Sequence, residues 1–514
     1  MKAKYMILAL AATVGLSSCN DLLNIEQHGV LDNATYYQTD EEAVSGLVQI
    51  YNSVKGQEYN NLFVKNLLTN DFWCGGGQRS DNAEYEQLNE FTYSIENGAT
   101  RGLFSGWYTV IHDANVVINY VDDASDVKLQ AKAEAKVLRA WAYFELTTLW
   151  GNPPLVDREL ENGADSQRPN SDPAALWAFI EKDLTEAIES GKLYEKANAD
   201  DKTWKVTKQF AQAILGKAYL WQKKYDEAAN TFDAIVESGL YRLYTDYENV
   251  ISFNAKQNCE SLFESVRISD ANNVWNNYSM LGTMLHWRTD KMNLNSDMGL
   301  AATGWGFLYP QKSLYDDFVK VEGENGYRLN ATIKNFEQFK EMGNSLNNPV
   351  HGNEGYFMWK WRVLAAQLPS TGYGFVDDNN ARWMRYAEVL LCAAEAHLLK
   401  STPDQAKVDE YMNMIRTRAQ APAISGTTLE DIQIEKRIEL CGEGTRFQDM
   451  VRWGIAETEL VEQGKNCPTL NVNGTVEYKV YNTGDYGFKK KHNLLPYAGI
   501  ETRQNPNIDQ NEGW

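Results

Sequence analysis

The sequence predicts a mainly α fold: a tetratricopeptide-like helical-repeat body with long irregular loops and a few short strands. Three observations predict it. Apolar residues recur at helical spacing over several long stretches, most clearly from Lys128 to Trp150. Leu215-Gly216-x-x-Tyr219, followed by Ala228 and Phe232, has the spacing of a tetratricopeptide unit. Between about Tyr241 and Arg382 the helical period gives way to a region rich in Asn, Gly and aromatic residues.

The chain opens with Lys2 and Lys4, an apolar run from Met6 to Leu16, and Leu16-Ser17-Ser18-Cys19. Residues 1–18 therefore read as a secretory signal peptide, too short and wrongly flanked to remain as a membrane helix. Leu-Ser-Ser-Cys resembles the bacterial lipobox, which implies cleavage before Cys19 and attachment of lipid to its sulfur. Several acyl chains on one residue would hold the protein at a membrane almost permanently. Residues 19–514 are expected to form one unit, in which an N-terminal part (about 19–240) and a C-terminal part (about 241–514) interleave.

Along that unit, the stretch from Gln27 to Asp40 is expected to be extended. Asp40-Glu41-Glu42 then opens a helix to Lys55, with Ala43, Leu47, Ile50 and Val54 on one face. Residues 56–98 are polar and Gly/Asn-rich and are expected to be irregular, kinked at Gly75-Gly76-Gly77. Helices are expected over 104–121 and 128–150, the second stopped by Gly151-Asn152-Pro153-Pro154. Ser171-Asp172-Pro173 starts another, with proline at an early position where no amide partner is needed. In the tetratricopeptide match, small Gly216 and Ala228 let two helices approach while Tyr219 and Phe232 fill the space. Fainter copies place Ala140 and Tyr143 with Ala175 and Phe179, and Ala394 and His397 with Ala406 and Tyr411; a fourth begins in 434–453. Such units cannot bury their own faces and must stack. Trp359 and Trp361 alternate as in a strand, which would put both rings on one packed face.

The net charge is −21; removal of Lys2 and Lys4 with the leader leaves 47 basic against 70 acidic residues, or −23. This argues against nucleic acid and anionic headgroups as partners. Cys74, Cys259, Cys392, Cys441 and Cys467 are odd in number and widely spaced, with no C-x-x-C; a disulfide framework and a zinc site are both poorly supported, and the spacing selects no pair. No cofactor is expected. Calcium would find many Asp and Asn oxygens, but no twelve-residue EF-hand loop occurs. The chain has no His-Glu-x-x-His, Gly-x-Ser-x-Gly or P-loop spacing.

Several motifs then converge on one family. Glu134-Ala135-Lys136-Val137-Leu138-Arg139-Ala140-Trp141-Ala142-Tyr143-Phe144, running to Trp150-Gly151-Asn152-Pro153-Pro154-Leu155-Val156, resembles the SusD/RagB family. So do Arg385-Tyr386-Ala387-Glu388-Val389-Leu390-Leu391, Ile415-Arg416-Thr417-Arg418-Ala419, Glu435-Lys436-Arg437-Ile438-Glu439-Leu440, and the stretch Glu443-Gly444-x-Arg446-Phe447-x-Asp449-Met450. The ending Gln504-Asn505-Pro506-Asn507-Ile508-Asp509 is similar to the family's tail. The resemblance implies a SusD-like lipoprotein at the outer face of the outer membrane. There it would bind oligo- or polysaccharide, without enzymatic activity, and cap a SusC-like TonB-dependent transporter. Other readings stay open: peptides or other nutrients as cargo, a protein adaptor alone, or a surface glycosidase. A glycosidase needs two carboxylates flanking the scissile bond, and 70 acidic residues supply such pairs by chance.

Sugar recognition needs aromatic faces for the rings and polar side chains for the hydroxyl rims. Three segments mix the two. Asp71 and Trp73 precede the triple glycine. Asn273, Trp275, Asn276 and Tyr278 lie in the richest stretch, and Trp287 and Arg288 follow it. Each of these rings has a competing role, pinning a loop onto the helical body. Trp305, within Gly304-Trp305-Gly306-Phe307, resembles an architectural stretch of the family. Glu134, Arg139, Glu388, Arg437, Glu439 and Arg446 are expected to pair between helices.

Overall fold

A computed structural model describes residues 33–160, 163, 165–267, 279–368, 376–377 and 379–514. The leader and Cys19 lie outside these residues.

Most of the body is helical, and the helices begin where the local chemistry caps them. Thr39 accepts the Glu42 N–H at 3.2 Å, and the Glu42 carboxylate takes the Thr39 N–H at 2.8 Å, so that two amides are satisfied reciprocally at the start of helix Asp40–Lys55. Its buried face is Ala43, Leu47, Ile50 and Val54, as the spacing requires. Asn97, Ser125, Asp172 and Thr207 cap the helices Gly98–Tyr120, Asp126–Trp150, Pro173–Glu189 and Lys208–Trp221 with a side-chain oxygen alone.

These helices stack as antiparallel pairs. Asp126–Trp150 packs on Pro173–Glu189, where Tyr143 meets Phe179 edge-on at 5.4 Å. Lys208–Trp221 packs on Tyr225–Glu237, and a Cβ on Gly216 would sit 2.7 Å from the Phe232 ring. Tyr225–Glu237 in turn packs on Tyr386–Leu399, which pairs with Gln405–Arg418. Across that contact Asp233 accepts from Tyr411 Oη at 2.6 Å and lies 3.0 Å from His397 Nε2. The fourth unit is broken: Leu429–Glu439 and Arg446–Trp453 are separated by Gly442 and Gly444, both at positive φ. One continuous hydrophobic cluster runs through both halves of the described chain.

The expected helix-to-helix charge pairs are present for all but Glu134, which accepts from the Tyr51 hydroxyl and lies 3.6 Å from Lys205 on a loop. Arg139 grips Asp183 with two nitrogens (2.8 and 2.9 Å), and Lys217 meets Glu388 at 2.7 Å. Arg328 binds Glu435 (2.6 Å) and Glu439 (2.8 Å), while Arg418 binds Glu260 (2.9 Å) and Glu439 (2.5 Å). Burial pushes the Glu439 carboxyl up, but Arg418, Arg385 and Arg328 outweigh it and hold the group well below the usual carboxylate range.

Four sequence expectations are corrected. Residues 56–98 hold two helices, Glu58–Leu67 and Ala83–Glu90. The first was hidden because its buried face includes polar residues: Lys65 is neutralised by Glu145 at 2.8 Å, and the Asn66 amide donates to Leu62 O at 2.8 Å. The helix expected from Phe104 starts at Gly98, because Asn97 caps it. Asn33–Tyr36, expected to be extended, is a short helix. The strand expected to carry Trp359 and Trp361 ends at Met358, so the two rings pack on different clusters.

Short antiparallel strands tie the irregular region to the helices. Phe72–Cys74 pairs with Leu308–Pro310, Ser261–Ser265 with Ala381–Arg385, and Ile333–Asn335 with Tyr356–Met358. The first pair positions the site described next.

Candidate functional site

Strand alternation turns Phe72 and Cys74 inward (0% and 4% exposed) and leaves Trp73 partly open. The Trp73 ring belongs to none of the hydrophobic clusters. Its indole N–H is buried yet has no hydrogen-bond partner among the described residues.

The strand pairing continues into the glycine run. Gly75 N donates to Phe307 O (3.0 Å) and Gly76 N to Gly306 O (2.8 Å). A Cβ on Gly75 would lie 2.0 Å from Gly306 O, and Gly76 has φ +107°, so this close approach and turn require glycine. Gly77 N then donates to Asp81 Oδ2 at 2.7 Å.

Arg288 covers this turn. Its backbone N–H donates at 2.9 Å to the hydroxyl of Tyr309, the residue paired with Trp73 across the strands. Its guanidinium lies 2.7 Å from Asp290 and 3.6 Å from Asp81, with about a fifth of the side chain exposed. Beside it Trp305, half-buried, stands edge-on to Phe307 at 6.2 Å, and its backbone N–H donates to Thr283 O. The cluster thus offers aromatic surface, a forked donor and two carboxylate acceptors on rigid backbone.

Next to it, Arg79 donates to Glu90 at 2.9 Å and stacks over Tyr481 at 4.5 Å, fastening the 78–82 turn to the C-terminal loop. Tyr481, 39% exposed, brings a ring to this rim that sequence reasoning missed; it lies 400 residues from Asp81 with no local pattern around it. Asp290 was missed as well, although it follows Arg288 by two residues, whereas Asp81 lies in the Gln78–Asn82 stretch that the sequence grouped with Trp73.

Two of the sequence candidates belong to the interior. Trp287 is 0% exposed, donates its indole N–H to Met358 O at 2.9 Å, and packs among Phe339, Phe357 and Trp359. Its neighbour His286 is held neutral, its pKa lowered to about 4 by burial. Asp71 is 2% exposed and pairs with Arg437 at 2.8 Å and Arg446 at 3.3 Å. Neither has a face to offer a ligand: alternation along a loop resembles alternation at a site, and only packing separates them. Asn273, Trp275, Asn276 and Tyr278 lie outside the described residues.

Among the described residues no group of three or more His, Cys, Asp or Glu side chains is placed to hold a metal ion. The five cysteines there are buried free thiols; burial raises all of them, Cys392 to about 11 and Cys467 to about 12. No described helix is long and apolar enough to cross a membrane.

Comparison with known proteins gives consistent matches. Residues 334–514 match the model of the SusD family, and residues 32–220 match a family described as starch-binding associating with outer membrane. A SusD-like protein of Bacteroides ovatus is 26% identical over 486 residues, covering 88% of this chain and 83% of that protein. A solved laminarin-binding SusD-like protein is 27% identical, with a TM-score of 0.78 over 93% of this chain and all of the other. Surface glycan-binding protein A from Bacteroides fluxus is 25% identical, with a TM-score of 0.76 and the same coverage.

Proposed function

This chain belongs to the SusD family, and from that premise we propose that it is a surface glycan-binding lipoprotein. It is anchored to the outer membrane through acylated Cys19 and faces the cell exterior. Residues 1–18 are its leader, and 19–514 work as one interleaved unit. It captures oligo- or polysaccharide and delivers it, chemically unchanged, to a SusC-like TonB-dependent transporter.

The single observation that carries the glycan reading is Trp73: a partly exposed ring outside the hydrophobic clusters, on the strand that leads into the glycine turn packed against Arg288 and Asp81. A pyranose presents a flat C–H face and a rim of hydroxyls. The face stacks on an indole; the hydroxyls accept from the guanidinium and donate to the carboxylates. Trp305 and Tyr481 extend the aromatic surface, and Asn273, Trp275, Asn276 and Tyr278 are proposed as further sugar contacts from their residue types alone. Support comes from the starch-binding description of one matched family and the laminarin binding of the 27%-identical relative. Capture is weak enough to release, because tight holding would slow hand-over. The helical body opens on the transporter as a lid about a hinge.

The test uses affinity electrophoresis through laminarin and starch, with assay of new reducing ends. Retardation by a polysaccharide, strongly reduced in Trp73→Ala, is expected, with no new reducing ends. New ends would favour a glycosidase. Co-purification with a transporter but no retention on any glycan would leave a peptide carrier or a pure adaptor.

A further inference from the structure

We propose that the groove beside Trp204 is a second sugar-ring site, built on different elements from the Trp73 cluster and resting on the glycan-binding reading above. Trp204 is 40% exposed and is the one tryptophan among the described residues that reaches the exposed class. It borders a groove of about 270 Å³ between helix Asp40–Lys55 and strand Ser261–Ser265.

The ring sits on a loop pinned at both ends. On one side Thr203 O accepts from Gln257 Nε2 at 2.7 Å. On the other, Val206 N donates to Tyr51 Oη at 2.8 Å, and that hydroxyl itself donates to buried Glu134 at 2.5 Å. Tyr51 meets Trp204 edge-on at 5.2 Å and 75°, which fixes the plane of the indole. The groove is therefore preorganised, and little ordering entropy remains to be lost when a flat ligand arrives.

Its walls match one class of ligand. Val48, Tyr51 and Val266 make an apolar floor. Asn52 and Lys55, one helical turn apart, put an amide and an ammonium at the rim. The Asn52 amide offers both donor and acceptor, as adjacent hydroxyls of a neutral sugar do. An apolar floor with an amide at its rim suits a hexose ring better than a fatty chain, which would offer the Asn52 amide no hydrogen bond. A polysaccharide engaging this groove and the Trp73 cluster together would gain avidity without new contacts.

The mature, full-length chain is compared with Trp204→Ala, Trp204→Phe, Asn52→Ala and Trp73→Ala on laminarin and starch. Trp204→Ala is expected to weaken polysaccharide retention about tenfold, the scale of one lost aromatic contact, with an unchanged melting temperature. Trp204→Phe should restore part of it. Acrylamide quenching reads the site directly: polysaccharide should shield a tryptophan fraction that is missing in Trp204→Phe and still present in Trp73→Ala. If the wild-type chain is retained and Trp204→Ala is retained equally, with no shielded fraction, the second site is overturned and the glycan reading stands. If the wild-type chain is retained by neither polysaccharide, both fall together.

Discussion

Arg437 donates its Nε–H to Asp71 Oδ1 at 2.8 Å, joining two residues 366 positions apart. The same guanidinium reaches Asp317 at 2.6 Å and Asn70 O at 2.9 Å, so one buried cation fastens the start of strand Phe72–Cys74 to helices of the C-terminal half. Removing one partner of a buried pair strands the other charge. Asp71→Ala is therefore expected to cost about 3–5 kcal/mol in urea unfolding. Asp71→Asn, which keeps an acceptor, should cost less. Equal, near-zero costs for both would mean that the pair does not hold the strand.

Trp73 and Trp287 should separate in opposite directions. Trp287→Ala empties a site packed by three aromatic rings and is expected to destabilise the chain by about 3–5 kcal/mol. Trp73→Ala, outside those clusters, should shift the melting temperature little and sharply weaken polysaccharide retention. Thermal melts and affinity electrophoresis on the same preparations decide it. A Trp73→Ala chain that unfolds early would recast that ring as packing.

That contrast marks how far the sequence was legible. The helical body was readable because its signals are local: the Gly216–Phe232 approach lies within one hairpin, and Ser171-Asp172-Pro173 caps its own helix. The helix Glu58–Leu67 was not, because the partners that make its polar face buriable, such as Glu145 for Lys65, lie some 80 residues away. At the site, Trp73, the triple glycine and Arg288 could be singled out as residue types. What divided them from Trp287 and Asp71 was burial, which depends on the strand Leu308–Pro310, on Arg437, and on the rings around Trp287. Tyr481 is held at the rim by Arg79 and by the ring of His351, contacts with no trace in its own neighbourhood.

Gly75 tests whether the close strand approach matters. A methyl there would meet Gly306 O at 2.0 Å, and a backbone carbonyl, unlike the end of a flexible side chain, cannot step aside. Gly75→Ala is expected to cost about 1–3 kcal/mol through overpacking and to lower polysaccharide retention together with stability. Retention unchanged in a chain of wild-type stability would show that the turn relaxes without disturbing Arg288.

Glu134 predicts a pH dependence of the opposite sense to the usual acid one. Burial raises its carboxyl from 4.5 to about 7, while hydrogen bonding to Tyr51 and the charge of Lys205 pull the other way. Between pH 4.5 and 7 the folded chain keeps a proton that the unfolded chain has released, so stability contributed by this group falls as pH rises through that window, by about 3 kcal/mol in all, and is flat above it. Asp449, held down at about 2 by Lys436 and Arg452 in spite of burial, behaves conversely: its contribution is lost only as pH falls below the ordinary carboxylate range, outside the Glu134 window. Glu134→Gln keeps an acceptor for Tyr51 Oη and removes the titration. Subtracting its urea-unfolding free energies from those of the wild type, pH by pH, should leave a curve that declines from 4.5 to 7 and then levels. A flat difference would show that Glu134 ionises normally, and the clamp that Tyr51 applies to the Trp204 loop would then owe nothing to a protonated carboxyl.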